Sequence, residues 1–344
     1  MIAILGVAVL TFLTYYVACW TSLSSRNQKI AVTSFLIASI VLRMLVPTNL
    51  NNDFFYYYKF DIFHKPSSFL SYLINEPYLY SVYAFFSLFI EEKKDVFQAM
   101  YGFNFLIDTA FFVWLVLRKE VEMWKKMLLF TLHYFVFGYV VLRNGPSYML
   151  FALFFYNAFR GQKFKWVWIT PFLHISSCLM LVTYFHKWRH YFKALLFAPI
   201  ILLLSFLVLK PFLASVREFD TILSKISIYS GGIPINGIMH LLFFLFIMVL
   251  IVLGFLLYKK KMVHPILVTT LFFYSSAFLI SPIVAHRFTP YVLFALLLFP
   301  FEEIQYNKAM YFLNRLSIFL LPVFIYTLFN THKTKLYVEL FVKG

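Results

Sequence analysis

Charge is scarce in this chain and cysteine nearly missing. Asp, Glu, Lys and Arg make up 13% of its 344 residues, and two residues are Cys. So little charge cannot cover the surface of a water-soluble globule of this size. Cys19 and Cys178 lie far apart within apolar runs, which argues against a disulfide framework and against a cysteine metal site. No HExxH, paired CxxC, P-loop, GxSxG or GxGxxG stands in a useful context, so neither a metal nor a nucleotide cofactor is expected. The missing nucleotide motif also speaks against transport driven directly by ATP. No internal repeat or low-complexity segment is present.

What the chain has in abundance is apolar surface. Hydrophobic residues reach 62%, with 46 Phe among them and a mean hydropathy of +0.81. At least seven stretches run to roughly 17–22 mostly apolar residues, the length that crosses a bilayer core of about 30 Å. Backbone groups in hydrocarbon must pair within their own segment, so these stretches are expected to be helices, and the alternation of a β-barrel strand is absent. The expectation is an all-α polytopic membrane protein, one integral membrane domain over 1–344, with about 11–12 membrane helices including short or re-entrant ones. The predicted helices are 2–20, 30–46, 72–90, 96–117, 127–142, 147–159, 193–210, 237–258, 264–282, 288–300 and 309–329. Between 164 and 185 the apolar pattern is expected to break near Pro171, as in a re-entrant pair of half-helices. The opening run, Ile2 to Trp20, lacks a basic n-region and reads as a retained first helix.

The net charge is +16. In this background most of the excess reflects topology and anionic lipid rather than nucleic acid, for which no motif appears. The positive-inside rule puts Arg26, Lys29 and Lys259-Lys260-Lys261 in the cytoplasm. Segments 47–71 and 211–236, and His286-Arg287, then fall outside. The basic residues of 118–126, 160–165 and 187–193 do not fit simple alternation.

Against such a background each polar group near membrane depth is informative. Arg143 closes one apolar helix and Asn144-Gly145-Pro146 opens the next. It is either a snorkelling helix-end arginine or a phosphate ligand, since a guanidinium grips phosphate oxygens in a bidentate fork. Arg287 and Tyr291 share one helical turn and offer a second phosphate contact or an interfacial anchor pair. His174, with Ser176 and Ser177 beside it, is either a structural histidine or one that accepts a proton from a sugar hydroxyl. Asp53 stands beside Asn51, Asn52 and Tyr56-Tyr57-Tyr58. It is either solvated or holds a hydroxyl. Glu76-Pro77-Tyr78 lies near the outer end of its helix, and Glu76 is either an arginine partner or an acid–base group. Arg217 in the long loop is a third candidate cation, and Arg160 with Lys163 and Lys165 reads as an anchor cluster.

The order of these motifs resembles the EpsG-like branch of the Wzy-type bacterial polysaccharide polymerases. Asn52-Asp53 with its tyrosines comes first. Glu76-Pro77-Tyr78, Arg143-Asn144, Phe172-Leu173-His174-Ile175-Ser176 and Arg287 with Tyr291 follow. The likeness covers about 50 to 295. Each motif is short, and order carries the weight. Gly145-Pro146 after Arg143-Asn144, and the extra tyrosines near Asp53, depart from the pattern. The resemblance implies a bacterial inner-membrane enzyme, multi-pass, with its active site facing the periplasm. It implies a glycosyltransferase-C-like bundle with a lipid-accessible cavity. The substrate would be an undecaprenyl-pyrophosphate-linked oligosaccharide, polymerised into O-antigen, capsule or exopolysaccharide without a metal. A flippase and a chain-length regulator are the implied partners, alongside inner-membrane lipid.

On that reading Arg143, Arg287 and Arg217 hold the pyrophosphate. His174, or else Asp53 or Glu76, takes the proton of the attacking hydroxyl. Asn144, Tyr291, Tyr57 and Ser177 contact substrate. Rival readings are an O-antigen ligase or another polyprenyl-linked glycosyltransferase, a flippase for the same lipid-linked unit, and a membrane O-acyltransferase. An acidic pair in the first external loop would favour a polyprenyl-phosphate-sugar transferase, and Asp53 and Asp61 are too far apart to make one. A flippase would show repeated hydropathy, which is missing.

Overall fold

The computed structural model describes residues 2–20, 22–51, 53–54, 58, 77–174, 177–197, 237–258, 262–280, 282–300 and 308–331. Among these residues every regular element is helical. They are α1 (Ile2–Ala18), α2 (Ser25–Leu45), α3 (Pro77–Ser87), α4 (Lys93–Val116), α5 (Met123–Phe135), α6 (Gly145–Phe159), α7 (Thr170–Leu173) and α8 (Ser177–Met180). Then come α9 (Gly237–Tyr258), α10 (Pro265–Ile280), α11 (Pro282–Leu298), α12 (Lys308–Leu316) and α13 (Leu321–Thr331). Short 3-10 turns cover Thr48–Leu50, Lys165–Ile169, Leu181–Phe185 and Ser317–Leu320, and a π turn covers Val136–Val140.

Three of the described helical spans, Ser25–Leu45, Lys93–Val116 and Tyr311–Thr331, are long and apolar enough to cross a membrane, and shorter apolar helices accompany them. Ile2, Met44, Leu88, Phe89, Leu279 and Phe319 all stand exposed. Soluble monomers rarely show so much large apolar surface, and the chain is a helical membrane protein in this respect. Lipid tails are as apolar as leucine, so packing rather than water exclusion must join the helices. Aromatic rings supply it. Tyr15 of α1 stacks on Phe130 of α5 at 3.9 Å, and Phe130 stacks on Phe324 of α13 at 5.0 Å. Each such pair contributes about 0.5–1.5 kcal/mol beyond its buried area. One buried cluster runs from Ala8 on α1 to Leu328 on α13.

Two antiparallel elements set the polarity of the bundle. Near the start of α5, Lys125 Nζ donates to the Phe299 carbonyl, just past the end of α11, at 3.4 Å. Beyond the other end of α5, Tyr148 reaches Arg287 at the start of α11. Lys125 also pairs with Glu122 at 2.6 Å, and Lys126 Nζ donates to the Val116 carbonyl at 2.8 Å, closing the last turn of α4. Both lysines are buried. They are therefore structural caps rather than free surface anchors, which removes two charges from the loop count that troubled the topology at 118–126.

Several expected boundaries move. The segment 164–185 is broken at His174, three residues past Pro171, between α7 and α8. Pro171 sits in the first turn of α7, where its missing N–H costs nothing. His174 is extended, with φ −160° and ψ 121°. The helix expected at 127–142 ends at Phe135 and gives way to the π turn. The helix expected at 288–300 begins at Pro282, so Arg287 is inside it, and Pro290 is carried within the helix. The loop 211–236 and most of 47–71 lie outside the described residues.

Candidate functional site

The site begins with a helix that ends unusually. After Phe135 the backbone widens, and Val141 N–H bonds to the Val136 carbonyl, five residues back, at 2.8 Å. The chain then leaves the helix at Val141, with φ −87° and ψ 101°. The carbonyls of 139 to 142 lose their helical donors, and buried carbonyls must be paired. Two asparagines from distant parts of the chain supply the donors. Asn51 Nδ2 donates to the Tyr139 carbonyl at 2.6 Å and to the Val140 carbonyl at 3.4 Å. Asn104 Nδ2, from α4, donates to the Leu142 carbonyl at 2.5 Å and to the Val141 carbonyl at 3.4 Å. Tyr78 of α3 fixes Asn104 by donating to its Oδ1 at 2.5 Å. Arg143 and Asn144 follow at once, so their backbone is clamped from both sides.

The same Asn51 positions Asp53. Its Oδ1 accepts the Asp53 N–H at 2.7 Å. Phe54 is buried and packs its ring against Phe97 and Tyr101 of α4, at 6.1 Å from each, which holds Asp53 down on the bundle. Asp53 is half-buried. Burial pushes its carboxyl above the ordinary carboxylate range, while Arg143 and Arg287 both pull it back down. Arg143 and Arg287 are far apart in sequence, and one carboxylate lies in the field of both.

Tyr148, one turn into α6, ties the two arginine segments together. Its hydroxyl donates to the Arg287 carbonyl at 2.9 Å and accepts from Asn144 Nδ2 at 3.3 Å. Tyr148 and Tyr291 pack edge to face at 4.9 Å. Tyr291 also packs edge to face against Phe151 of α6 at 5.0 Å. Asp53, Arg143, Asn144, Arg287 and Tyr291 therefore assemble at one end of the bundle. His174 and Ser177 are buried on the neighbouring α7–α8 segment, and α7 packs against α6 and α3. In turn, α6 packs directly on α11.

Glu76, Tyr57 and Arg217 fall outside the described residues. Asn104 and Tyr148 were missed by the sequence reading. An asparagine alone in the apolar run of α4 was the available signal for the first, whereas nothing marks Tyr148 among so many tyrosines. Among the described residues no group of three His, Cys, Asp or Glu side chains stands together as a metal site. A recess between α1 and α2, lined by Leu13, Val17, Leu23, Asn27 and Ile30, touches none of the site groups.

Compared with family models, with curated proteins and with solved structures, the chain matches none.

Proposed function

We propose that the chain is a polymerase that joins undecaprenyl-pyrophosphate-linked oligosaccharide units at the periplasmic face of a bacterial inner membrane. The observation that carries this reading is the joining of the two arginine segments by Tyr148, whose hydroxyl bonds the Arg287 carbonyl at 2.9 Å and Asn144 Nδ2 at 3.3 Å, with Asp53 in the field of both arginines. Two guanidiniums at the end of a lipid-facing bundle suit a diphosphate on a polyprenyl tail, because each can grip two oxygens. Their fixed charge would stabilise the negative charge that builds on the pyrophosphate as its bond to the sugar breaks. The fold on this reading is a glycosyltransferase-C-like bundle whose outward cavity opens above the arginines.

The reaction balances without a cofactor. A hydroxyl at the non-reducing end of the incoming unit attacks C1 of the lipid-linked chain. The new C–O bond forms, the bond from C1 to the pyrophosphate oxygen breaks, and undecaprenyl pyrophosphate leaves with the electron pair. The hydroxyl proton needs an acceptor. Asp53 suits that role, because it stands in the field of both cations that would hold the leaving group and burial raises its basicity. Before substrate arrives, Asp53 stands in the field of both arginines. The diphosphate then takes its place on them and frees it for the proton.

The test uses the purified full chain in proteoliposomes with lipid-linked oligosaccharide. Arg143→Ala and Arg287→Ala should each abolish chain growth while the protein remains inserted. Polymer of normal length from both variants would overturn the assignment. A cell lacking the gene should still attach a single repeat unit to the final acceptor. Loss of all attachment would point instead to a ligase.

A further inference from the structure

Three loops carry basic residues that simple alternation does not place: 118–126, 160–165 and 187–193. The structure gathers them at the end of the bundle away from Asp53 and Arg143. α5 starts beside the end of α4, where Lys126 Nζ bonds the Val116 carbonyl at 2.8 Å. α6 starts at the candidate site and ends beside them, and Trp114 of α4 meets Tyr156 of α6 edge to face at 5.0 Å. The segment after α6 then dips and returns. Trp168, near its entry, packs against Tyr184 and Phe185, at its exit, at 5.1 and 6.0 Å. Lys187 and Arg189 therefore emerge, exposed, on the face that the exposed Lys163 and Lys165 occupy.

Within this face two guanidiniums converge on one ring. Arg160, just past α6, stands over the Tyr156 ring with its Cζ 3.9 Å from the centroid. Arg118, just past α4, has its Cζ 5.9 Å from the same centroid and 5.3 Å from that of Trp114. Each also donates to its own helix end, Arg118 Nε to the Trp114 carbonyl at 3.5 Å and Arg160 Nη1 to the Tyr156 carbonyl at 3.0 Å. These rings and carbonyls hold both groups in place but carry no net charge. Segments 118–126 and 160–165 together hold seven basic residues and two acidic ones. Of the two acids, Glu122 is bonded to Lys125 at 2.6 Å and Glu120 is exposed. Two like charges at one ring repel, and an anion between them removes the repulsion. Leu117, Trp166, Phe185 and Trp188 stand exposed at the same end, as side chains at a lipid–water boundary do. An anion arriving there comes with acyl chains attached.

We propose that Arg118 and Arg160 form a binding site for the phosphate of an anionic phospholipid, in the leaflet at the end of the bundle opposite Asp53. A guanidinium offers phosphate oxygens a fork of parallel N–H groups, which an ammonium does not. The surrounding basic excess favours an acidic headgroup over a zwitterionic one. Bound there, the headgroup bridges the ends of α4 and α6, and α6 carries Tyr148 near its other end. The site does not depend on the reaction proposed above.

The experiment titrates the purified full chain, in neutral detergent at constant ionic strength, with phosphatidylglycerol or with phosphatidylcholine. Bound lipid is counted by native mass spectrometry. Wild type should hold phosphatidylglycerol about tenfold more tightly than phosphatidylcholine, or better. Arg118→Gln and Arg160→Gln should each weaken phosphatidylglycerol about tenfold, the effect of losing a charge-assisted hydrogen bond. Arg118→Lys and Arg160→Lys keep the charge and lose the fork, so they should fall in between, and they stand in should a glutamine variant fail to fold. Changing the exposed Lys163 and Lys165 together to Gln should shift affinity less than about twofold, because exposed charges contribute little. The proposal fails if wild type binds the two lipids alike, or if the arginine variants bind phosphatidylglycerol as wild type does. It also fails if the Lys163 and Lys165 change weakens binding as much as the arginine changes, which would mean a diffuse basic face. Displacement of the lipid by millimolar inorganic phosphate would mean a site for the free anion, and would overturn it too.

Discussion

Replacing Asn104 with leucine removes the donor to the Leu142 carbonyl, at 2.5 Å, and the acceptor of the Tyr78 hydroxyl, at 2.5 Å. The carbonyl has no helical partner, because the chain has already left the helix at Val141. Leaving a buried acceptor unpaired costs about 1–3 kcal/mol. The Tyr78 hydroxyl is only part-buried and can turn towards solvent, so it adds at most about 1 kcal/mol. The expected loss is about 1–4 kcal/mol, the sum of these two costs. Asn51→Ala removes the donor to the Tyr139 carbonyl at 2.6 Å and should cost about 1–3 kcal/mol by the same reasoning. Both asparagines hold one continuous strip of backbone, so their effects should not add. A coupling of about 0.5–3 kcal/mol is expected in the double-mutant cycle. The assay is denaturant unfolding of the purified protein, with binding of undecaprenyl pyrophosphate measured on the folded fraction. Binding should weaken in both single variants, because Arg143 follows the strip directly. If Asn104→Leu unfolds within about 0.5 kcal/mol of wild type, a change typical of an uninvolved surface position, the accounting of orphaned carbonyls is wrong. Zero coupling would mean that the two asparagines hold separate parts.

Three further outcomes follow from particular groups. Because burial holds the Asp53 carboxyl above its ordinary range, the folded state binds its proton more tightly than the unfolded chain does. Asp53 therefore weakens stability as pH rises from the unfolded value through the raised folded one, and Asp53→Asn should remove that slope, stabilise the protein at neutral pH and stop chain growth. A variant with an unchanged stability-against-pH curve would refute the burial. Gly138→Ala should destabilise by about 1–3 kcal/mol, since its Cβ would meet Asp108 Oδ2 at 2.7 Å, while Gly102→Ala in open helix should stabilise by about 0.5–1 kcal/mol. Equal unfolding temperatures for the two variants would contradict the close approach. Tyr148→Phe removes the bond to the Arg287 carbonyl and should raise the KM for the lipid-linked donor severalfold with little loss of unfolding temperature. An unchanged KM would show that Tyr148 does not hold the two arginine segments together.

The sequence and the structure agree most closely where one long apolar run makes one element. The helix expected at 237–258 is found at Gly237–Tyr258, and that at 147–159 at Gly145–Phe159. Composition suffices there, because hydrocarbon leaves the backbone no alternative to a helix. Agreement fails where backbone geometry responds to distant side chains. The π turn at Val136–Val140 sits inside an apolar run without proline, and its carbonyls depend on Asn51 and Asn104. The break expected near Pro171 falls three residues later, at His174, since a proline in the first turn does not itself interrupt a helix. Lys125 and Lys126 look like exposed basic residues by type, and only their carbonyl and carboxylate partners make them interior.

The chain alone determined its solvent. With 62% hydrophobic residues and few charges, it belongs in lipid and must be helical there. It also marked Asp53, Arg143, His174 and Arg287 as polar groups out of place in that setting. Which of them act on one another was decided by packing. Asp53 meets the fields of two arginines because the antiparallel run of α5 and α11 brings their ends together, and because Asn51 bonds both Asp53 and the π turn. Sequence separation carries no information about such meetings, since a hydrogen bond of 2.6 Å across 88 residues leaves no local trace in the chain.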